Sequence, residues 1–331
     1  MKEKKKQAVG ETCPWGFENP PFTREMKETY TILSPDIFPI HMRLIAEIFH
    51  MSGYNLEILR SRGRQVIQCG LEHIHNDMCY PAICMCGQQL YALTSGEYDP
   101  HKCALIQFQT GGGCRASNYI WMLRKALHNM GMDDVPVLSL SFNRVEKKSG
   151  FRVTPMMLAK GLVAVIYGDM LMLLYNQCKP YEINKNSTDQ LLARWQHRIG
   201  KLMGTKTQFM NTKSIYRAML KDFAALPRTK EKKPRVGIVG EIYVKYSPLA
   251  NNDLNNFLMS EGCEPNVPGL LDFVLYCASD LINDARLYDK QTPRTAAYKI
   301  GYDVLYKFQR VHHRTIDGSA AAVAKGILKG T

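Results

Sequence analysis

The sequence predicts an α/β protein with two Rossmann- or flavodoxin-like parallel-sheet domains, an intervening helical region and a C-terminal helical region. Three observations predict it. Short apolar runs alternate with helical periodicity between residues 29 and 150, and such alternation makes a parallel sheet covered by helices on both faces. A second, shorter alternation starts at Arg235-Val236-Gly237-Ile238-Val239-Gly240-Glu241. Between and after these stretches only the helical period is present.

The elements follow in order. Residues 1–28 read as a tail punctuated by Pro14, Pro20 and Pro21. Residues 29–150 form the first α/β domain. Thr29 to Leu33 is its first strand. Ile40, Leu44, Ile45, Ile48 and Phe49 then fall at helical spacing, Gly53 stops that helix, and Asn55 to Leu59 resumes an extended pattern. A helix is expected from Pro81 to Leu93, closed by Ser95-Gly96. The strand Ala104 to Phe108, a glycine turn, a helix to about Met130 and the strand Val135 to Leu140 complete the series. Residues 151–234 form a helical segment and linker, with helices opening at Met156 and around Trp195 and the charged stretch Pro227 to Pro234. Residues 235–290 are the second α/β domain, with a helix at Leu254, Phe257 and Leu258 and a strand from Glu264 to Val267. Residues 291–331 are a helical C-terminal segment.

Composition bounds the function. The chain has 331 residues, is 45% hydrophobic and carries a formal net charge of +13, which is globular composition with a real core. Lys2, Lys4, Lys5 and Lys6 supply part of the excess, and a local cluster lies between Arg228 and Arg235. No basic–aromatic interleaving of the kind that grips single strands is present, so nucleic acid is not an expected partner. An acidic partner or a phosphorylated ligand such as coenzyme A fits the charge equally well. The Lys-rich start has no apolar core behind it, unlike an export signal. The longest apolar run, Met156 to Leu174, is broken by Lys160, Gly161, Gly168 and Asp169, so no membrane span is expected. A cytoplasmic location follows, with the ten cysteines reduced.

The chemistry centres on Gln109-Thr110-Gly111-Gly112-Gly113-Cys114-Arg115-Ala116-Ser117-Asn118-Tyr119. Strand, glycine turn and helix in that order put Cys114 at a helix N-terminus, where the thiolate is favoured. Gly111, Gly112 and Gly113 let the backbone approach a phosphate, a substrate or an inorganic cluster. Cys79 precedes Tyr80-Pro81, and proline is suited to the first turn of a helix, so Cys79 also stands at a loop-to-helix turn. On spacing alone the pair fits buried packing thiols better than ligands; the triple glycine, which packing does not require, argues toward ligation. Cys84-Met85-Cys86 cannot present both thiols to one tetrahedral ion from within a helix. Cys69, Cys103, Cys178 and Cys263 read as packing or surface residues, and Cys13 lies in the tail. Cys277, after the apolar run Leu270 to Leu275, is the third ligand candidate. Gly237-Ile238-Val239-Gly240-Glu241 lacks the third glycine of a dinucleotide fingerprint, and no Lys-Ser/Thr follows Gly113 as in a Walker loop. His73 and His75 read as surface or satisfied core residues.

Three blocks resemble one family. They are Asn76-Asp77-x-Cys79-Tyr80-Pro81-Ala82-Ile83, the triple-glycine cysteine block, and Gly240-Glu241-Ile242-Tyr243-Val244-Lys245-Tyr246-Ser247-Pro248-Leu249-Ala250-Asn251-Asn252. Together they are similar to the acyl-CoA dehydratase activase-related proteins. These sit in the wider superfamily of 2-hydroxyacyl-CoA dehydratases, benzoyl-CoA reductase subunits and double-cubane cluster proteins. Asp169 and Lys179-Pro180-Tyr181-Glu182 also resemble a family pattern, with Lys where Arg is commoner. The resemblance runs from about Phe22 to beyond Cys277.

The resemblance implies an iron–sulfur cluster, four-iron four-sulfur or double-cubane, that receives electrons from an ATP-hydrolysing activator with its own cluster. In dehydratases the electron makes a ketyl radical from a 2-hydroxyacyl-CoA. In double-cubane proteins it reduces small molecules. Carried onto this chain, Cys79 and Cys114 match two cluster ligands, and Arg115, Ser117 and Asn118 line the cluster. A homo- or heterodimer is implied, with an acyl-CoA as one candidate substrate. Relatives of this type continue beyond the point matching Thr331 with a further cysteine block. The third ligand is therefore expected from Cys277, from another chain, or not at all. A non-catalytic scaffold that docks the activator and a CoA- or nucleotide-binding enzyme stand as alternative readings.

Overall fold

Four short apolar runs become the strands of one parallel sheet. A computed structural model of the chain describes residues 16, 19–109, 114–141, 151–289 and 292–317. These divide into two compact units, residues 1–159 with 241–253, and residues 160–240 with 254–331.

In the first unit the strands are β1 (Thr31–Ser34), β2 (Asn55–Ile58), β3 (Cys103–Gln109) and β4 (Val137–Ser141), in the spatial order β2-β1-β3-β4. All pairs are parallel, with Thr31 opposite both Asn55 and Cys103, and Leu105 opposite Val137. Ile32, Leu33, Ala104, Leu105 and Ile106 are fully buried. Consecutive buried residues, rather than alternation, are what a sheet covered on both faces requires. The helices are α1 (Met26–Thr29), α2 (Pro39–Met51), α3 (Arg64–His73), α4 (Tyr80–Thr94) and α5 (Tyr119–Asn129). Proline occupies the first turn of both α2 and α4, where its missing N–H costs nothing. Gly53, at φ +80°, ends the α2 turn in a conformation that other residues resist.

α4 is the central helix of this unit: every residue from Pro81 to Leu90 is buried. A helix apolar on all sides belongs inside a core. Its two glutamines are fully buried and tie it to the sheet. Gln89 Nε2 donates to the carbonyls of Leu33 and Ile106 at 3.0 Å each, and Gln107 Nε2 donates to Gln89 Oε1 at 2.6 Å. Gln88 Nε2 donates to Ser61 O at 2.8 Å, and its Oε1 accepts from the Asp36 amide at 3.0 Å. α3, which the sequence reading does not include, crosses α4 where Gly70 and Gly87 meet. A Cβ on Gly70 would stand 2.2 Å from Ile83 O, and one on Gly87 would stand 2.6 Å from Val66 O.

The second unit is mostly helical. α6 (Pro155–Cys178) enters it at Lys160 and is followed by α7 (Ser187–Met203) and α8 (Thr212–Ala224). Buried Tyr167 donates to Phe209 O at 2.8 Å, and Tyr216 donates to Ile166 O at 2.7 Å. The segment Pro155–Tyr181 is long and apolar enough to cross a membrane by length and composition, and 56% of its most apolar window is buried inside the fold. β5 (Arg235–Gly237) leads to α9 (Ile242–Tyr246), which belongs to the first unit, and then to α10 (Leu254–Ser260), β6 (Glu264–Asn266), α11 (Leu270–Leu287) and α12 (Pro293–Asp317). β5 and β6 pair in parallel as a two-stranded sheet, Arg235 opposite Glu264. The second alternation thus yields one parallel pair of three-residue strands. The reason lies in the sequence: after β6 the apolar residues fall at helical spacing, in α11 and α12, and supply no further strand among the described residues.

Residues 241–253 return to the first unit. Glu241 caps α9, its carboxylate accepting from the Val244 amide at 2.9 Å. Ser247 donates to Asp36 O at 3.0 Å, and Phe38 meets Tyr246 edge-on at 5.1 Å. Tyr243, Leu249 and Ala250 pack with Ile37, Ala82, Cys84 and Met85 in a common core.

Candidate thiol site

The strand order reverses direction between β1 and β3. In open α/β sheets this switch point leaves a crevice outside the carboxyl ends of the strands, and ligands bind there. Asp36 follows β1, and Cys114 lies beyond β3.

Cys79 is the N-cap residue of α4, and its sulfur makes no capping bond to that helix. Instead Cys79 Sγ lies 2.7 Å from the hydroxyl of Tyr119. Cys114 is the N-cap of a 3₁₀ turn, Arg115–Asn118, that runs into α5. The expected α-helix therefore begins five residues later, at Tyr119. Cys114 Sγ accepts from the Ala116 amide at 3.5 Å, and Ser117 Oγ donates to Cys114 O at 2.7 Å. Arg115 Nη1 donates to the carbonyl of Asp77, two residues before Cys79. Arg115 of the Cys114 turn and Tyr119, which opens α5, thus both reach the Cys79 turn. Cys114 is exposed and Cys79 half-buried.

Tyr119 is buried, and burial is the main cause holding its phenol far above the ordinary range. The bond to Cys79 and the nearness of Cys79, Cys114 and Glu241 add to the shift. The group stays protonated and can donate. Burial pushes Cys84 up to about 11, Cys86 up to about 12 and Cys103 up to about 11. Thiols held protonated in apolar surroundings are inert.

Asn118 caps α5. Gly111, Gly112, Gly113 and Cys13 lie outside the described residues. Cys277 sits on α11 in the second unit, half-buried, its thiol raised by burial and then by Asp280. Cys69 and Cys178 are buried and Cys263 half-buried. Among the described residues no three His, Cys, Asp or Glu side chains gather as a metal site.

Asp36 is the residue that sequence reading missed. It is buried, its Oδ2 lies 3.4 Å from Arg62, and its Oδ1 finds no hydrogen-bond partner among the described residues. Burial raises its carboxyl, and Arg62 opposes the shift. The signal was there: Pro35-Asp36 directly follows an apolar strand.

The fold and site together define an α/β chain that presents two reachable cysteines at a parallel-sheet switch point. No family model, curated protein or solved structure matches the chain.

Proposed function

We propose that the chain is a low-potential electron-transfer component that binds an iron–sulfur cluster through Cys79 and Cys114, within an ATP-driven reductase or 2-hydroxyacyl-CoA dehydratase-like system. One observation carries the reading: Tyr119 and Arg115 tie the two cysteine turns together at the switch point. The donor chemistry fits a thiophilic centre, with two accessible sulfurs backed by hydrogen-bond donors. It supplies two ligands; a cysteine from another chain would supply the rest. When bound, such a cluster carries single electrons. The chain's own part is to hold the sulfurs and direct the Tyr119 hydroxyl and the Ala116 amide at them, because donors to cluster sulfurs tune potential. Partners on this reading are an activator ATPase with its own cluster and a second subunit, in the cytoplasm. The β5–β6 pair with α10 is read as the core of a second Rossmann-like domain.

Anaerobic purification tests the proposal. Wild-type protein should be brown, contain iron and acid-labile sulfide, and give a low-temperature EPR signal on reduction. Cys79→Ser and Cys114→Ser should each lose most of the iron. Equal iron in wild type and both variants defeats the reading. The strand order also favours a second reading, a CoA or nucleotide ligand at the switch point. Tight CoA binding that survives Cys114→Ala would support it.

A further inference from the structure

We infer that Tyr119 and Arg115 are positioning residues that hold Cys79 and Cys114 as a preformed dithiol, able to take a thiophilic ion or a trivalent arsenical with both sulfurs at once. The inference rests on the reading above for its choice of sulfurs, and not on iron.

Three observations carry it. The Cys79 sulfur makes no capping bond to its own helix and instead lies 2.7 Å from the Tyr119 hydroxyl, 40 positions away. The Cys114 sulfur is oriented separately, by the Ala116 amide of its own turn. Arg115, next to Cys114, bonds the Asp77 carbonyl on the Cys79 loop. Tyr119 is anchored by the core, packing with Ala82, Cys84 and Met85, so its hydroxyl is a fixed point for the Cys79 side chain. Arg115 is exposed, and an exposed guanidinium spent on a backbone carbonyl across two loops acts as a tie. Holding both sulfurs before the guest arrives removes the ordering cost from binding.

An aryl arsenoxide reads this out directly. R–As=O condenses with two thiols to give R–As(SR′)₂ and water. Two As–S bonds form, the oxide leaves with both thiol protons, and no electron is transferred. Full-length, metal-stripped protein is titrated with phenylarsine oxide, free thiols are counted, and the adduct is mapped by mass spectrometry. Wild type should take up one arsenic that links the Cys79 and Cys114 peptides, with two thiols lost. Tyr119→Phe and Arg115→Ala should each weaken this capture by about tenfold, while iodoacetamide alkylation of Cys263, a free thiol outside the pair, stays unchanged. Arg115→Lys should restore part of it. Adducts at other cysteines, or capture equally tight in both variants, overturn the inference. Should Tyr119→Phe unfold by circular dichroism, the exposed Arg115→Ala decides alone. Protein that bridges arsenic across the pair yet holds no iron refutes the cluster reading and leaves this one standing.

Discussion

Asp169 shows how a side chain that resembles part of a functional motif serves the fold instead. Its carboxylate accepts from the Leu270 and Leu271 amides at 2.6 and 2.8 Å and fits against Gly269, so it caps α11 from a remote position on α6. Orphan amides at a helix start need such a partner. Asp169→Ala should lower stability by about 1–3 kcal/mol, measured by urea unfolding, while Asp169→Asn keeps part of it. Lys179 belongs to the same class. It pairs with Glu182 and, at 2.6 Å, with Asp189, while Glu182 accepts from the Asn186 and Thr188 amides. Tyr181 donates to Glu264 at 2.7 Å. At the residue scale, then, the Cys79 turn was legible because Pro81 marks the first turn of α4, whereas Cys114 opens a 3₁₀ turn and not the expected α-helix. The Tyr119 contact was not legible, because its partner lies 40 positions away and a tyrosine opening a helix reads as core.

Among the elements, those with apolar periodicity were legible. The expected strand Ala104 to Phe108 lies within β3, and the expected helix Pro81 to Leu93 lies within α4. α3 was not, because its ten residues carry only a short apolar stripe, Val66, Ile67 and Cys69, against α4, and part of the contact is glycine. Gly70 and Gly87 let the two backbones touch, and no hydrophobic period records a missing side chain. Gly70→Ala would drive a methyl into the Ile83 carbonyl. It should destabilise the first unit by about 2–3 kcal/mol, as overpacking does, with a lower thermal midpoint. Gly262→Ala makes a useful contrast. Nothing stands within 4 Å of a Cβ there, and only its φ of +77° opposes the change, so a smaller loss is expected. α9 was missed for another reason: five residues are too few to show a helical period.

For the molecule as a whole, the buried Asp36 makes stability depend on pH. Burial raises its folded carboxyl above the unfolded value, so the native state holds the proton more tightly than the unfolded chain. The contribution is complete below the ordinary carboxylate pKa of about 4 and is lost as pH rises through the folded value. Subtracting the urea-unfolding profile of Asp36→Asn from that of wild type should leave a term that falls with rising pH in that window; a flat difference would contradict it. Sequence reading recovered the mixed α/β class and the parallel sheet, since both follow from local alternation. It did not recover the return of residues 241–253 to the first unit. That return depends on contacts such as Ser247 with Asp36, 211 positions apart, which leave no local trace.

The same return has a consequence for biosynthesis. Domains ordinarily fold in turn as the ribosome releases them. Here the amino-terminal sheet emerges early, but the Tyr243 and Leu249 side chains that close over Ile37 and Met85 are translated only after residues 160–240 of the other unit. The nascent chain must therefore carry an open greasy face through the intervening synthesis, and its amino-terminal half cannot mature until the later stretch has left the exit tunnel.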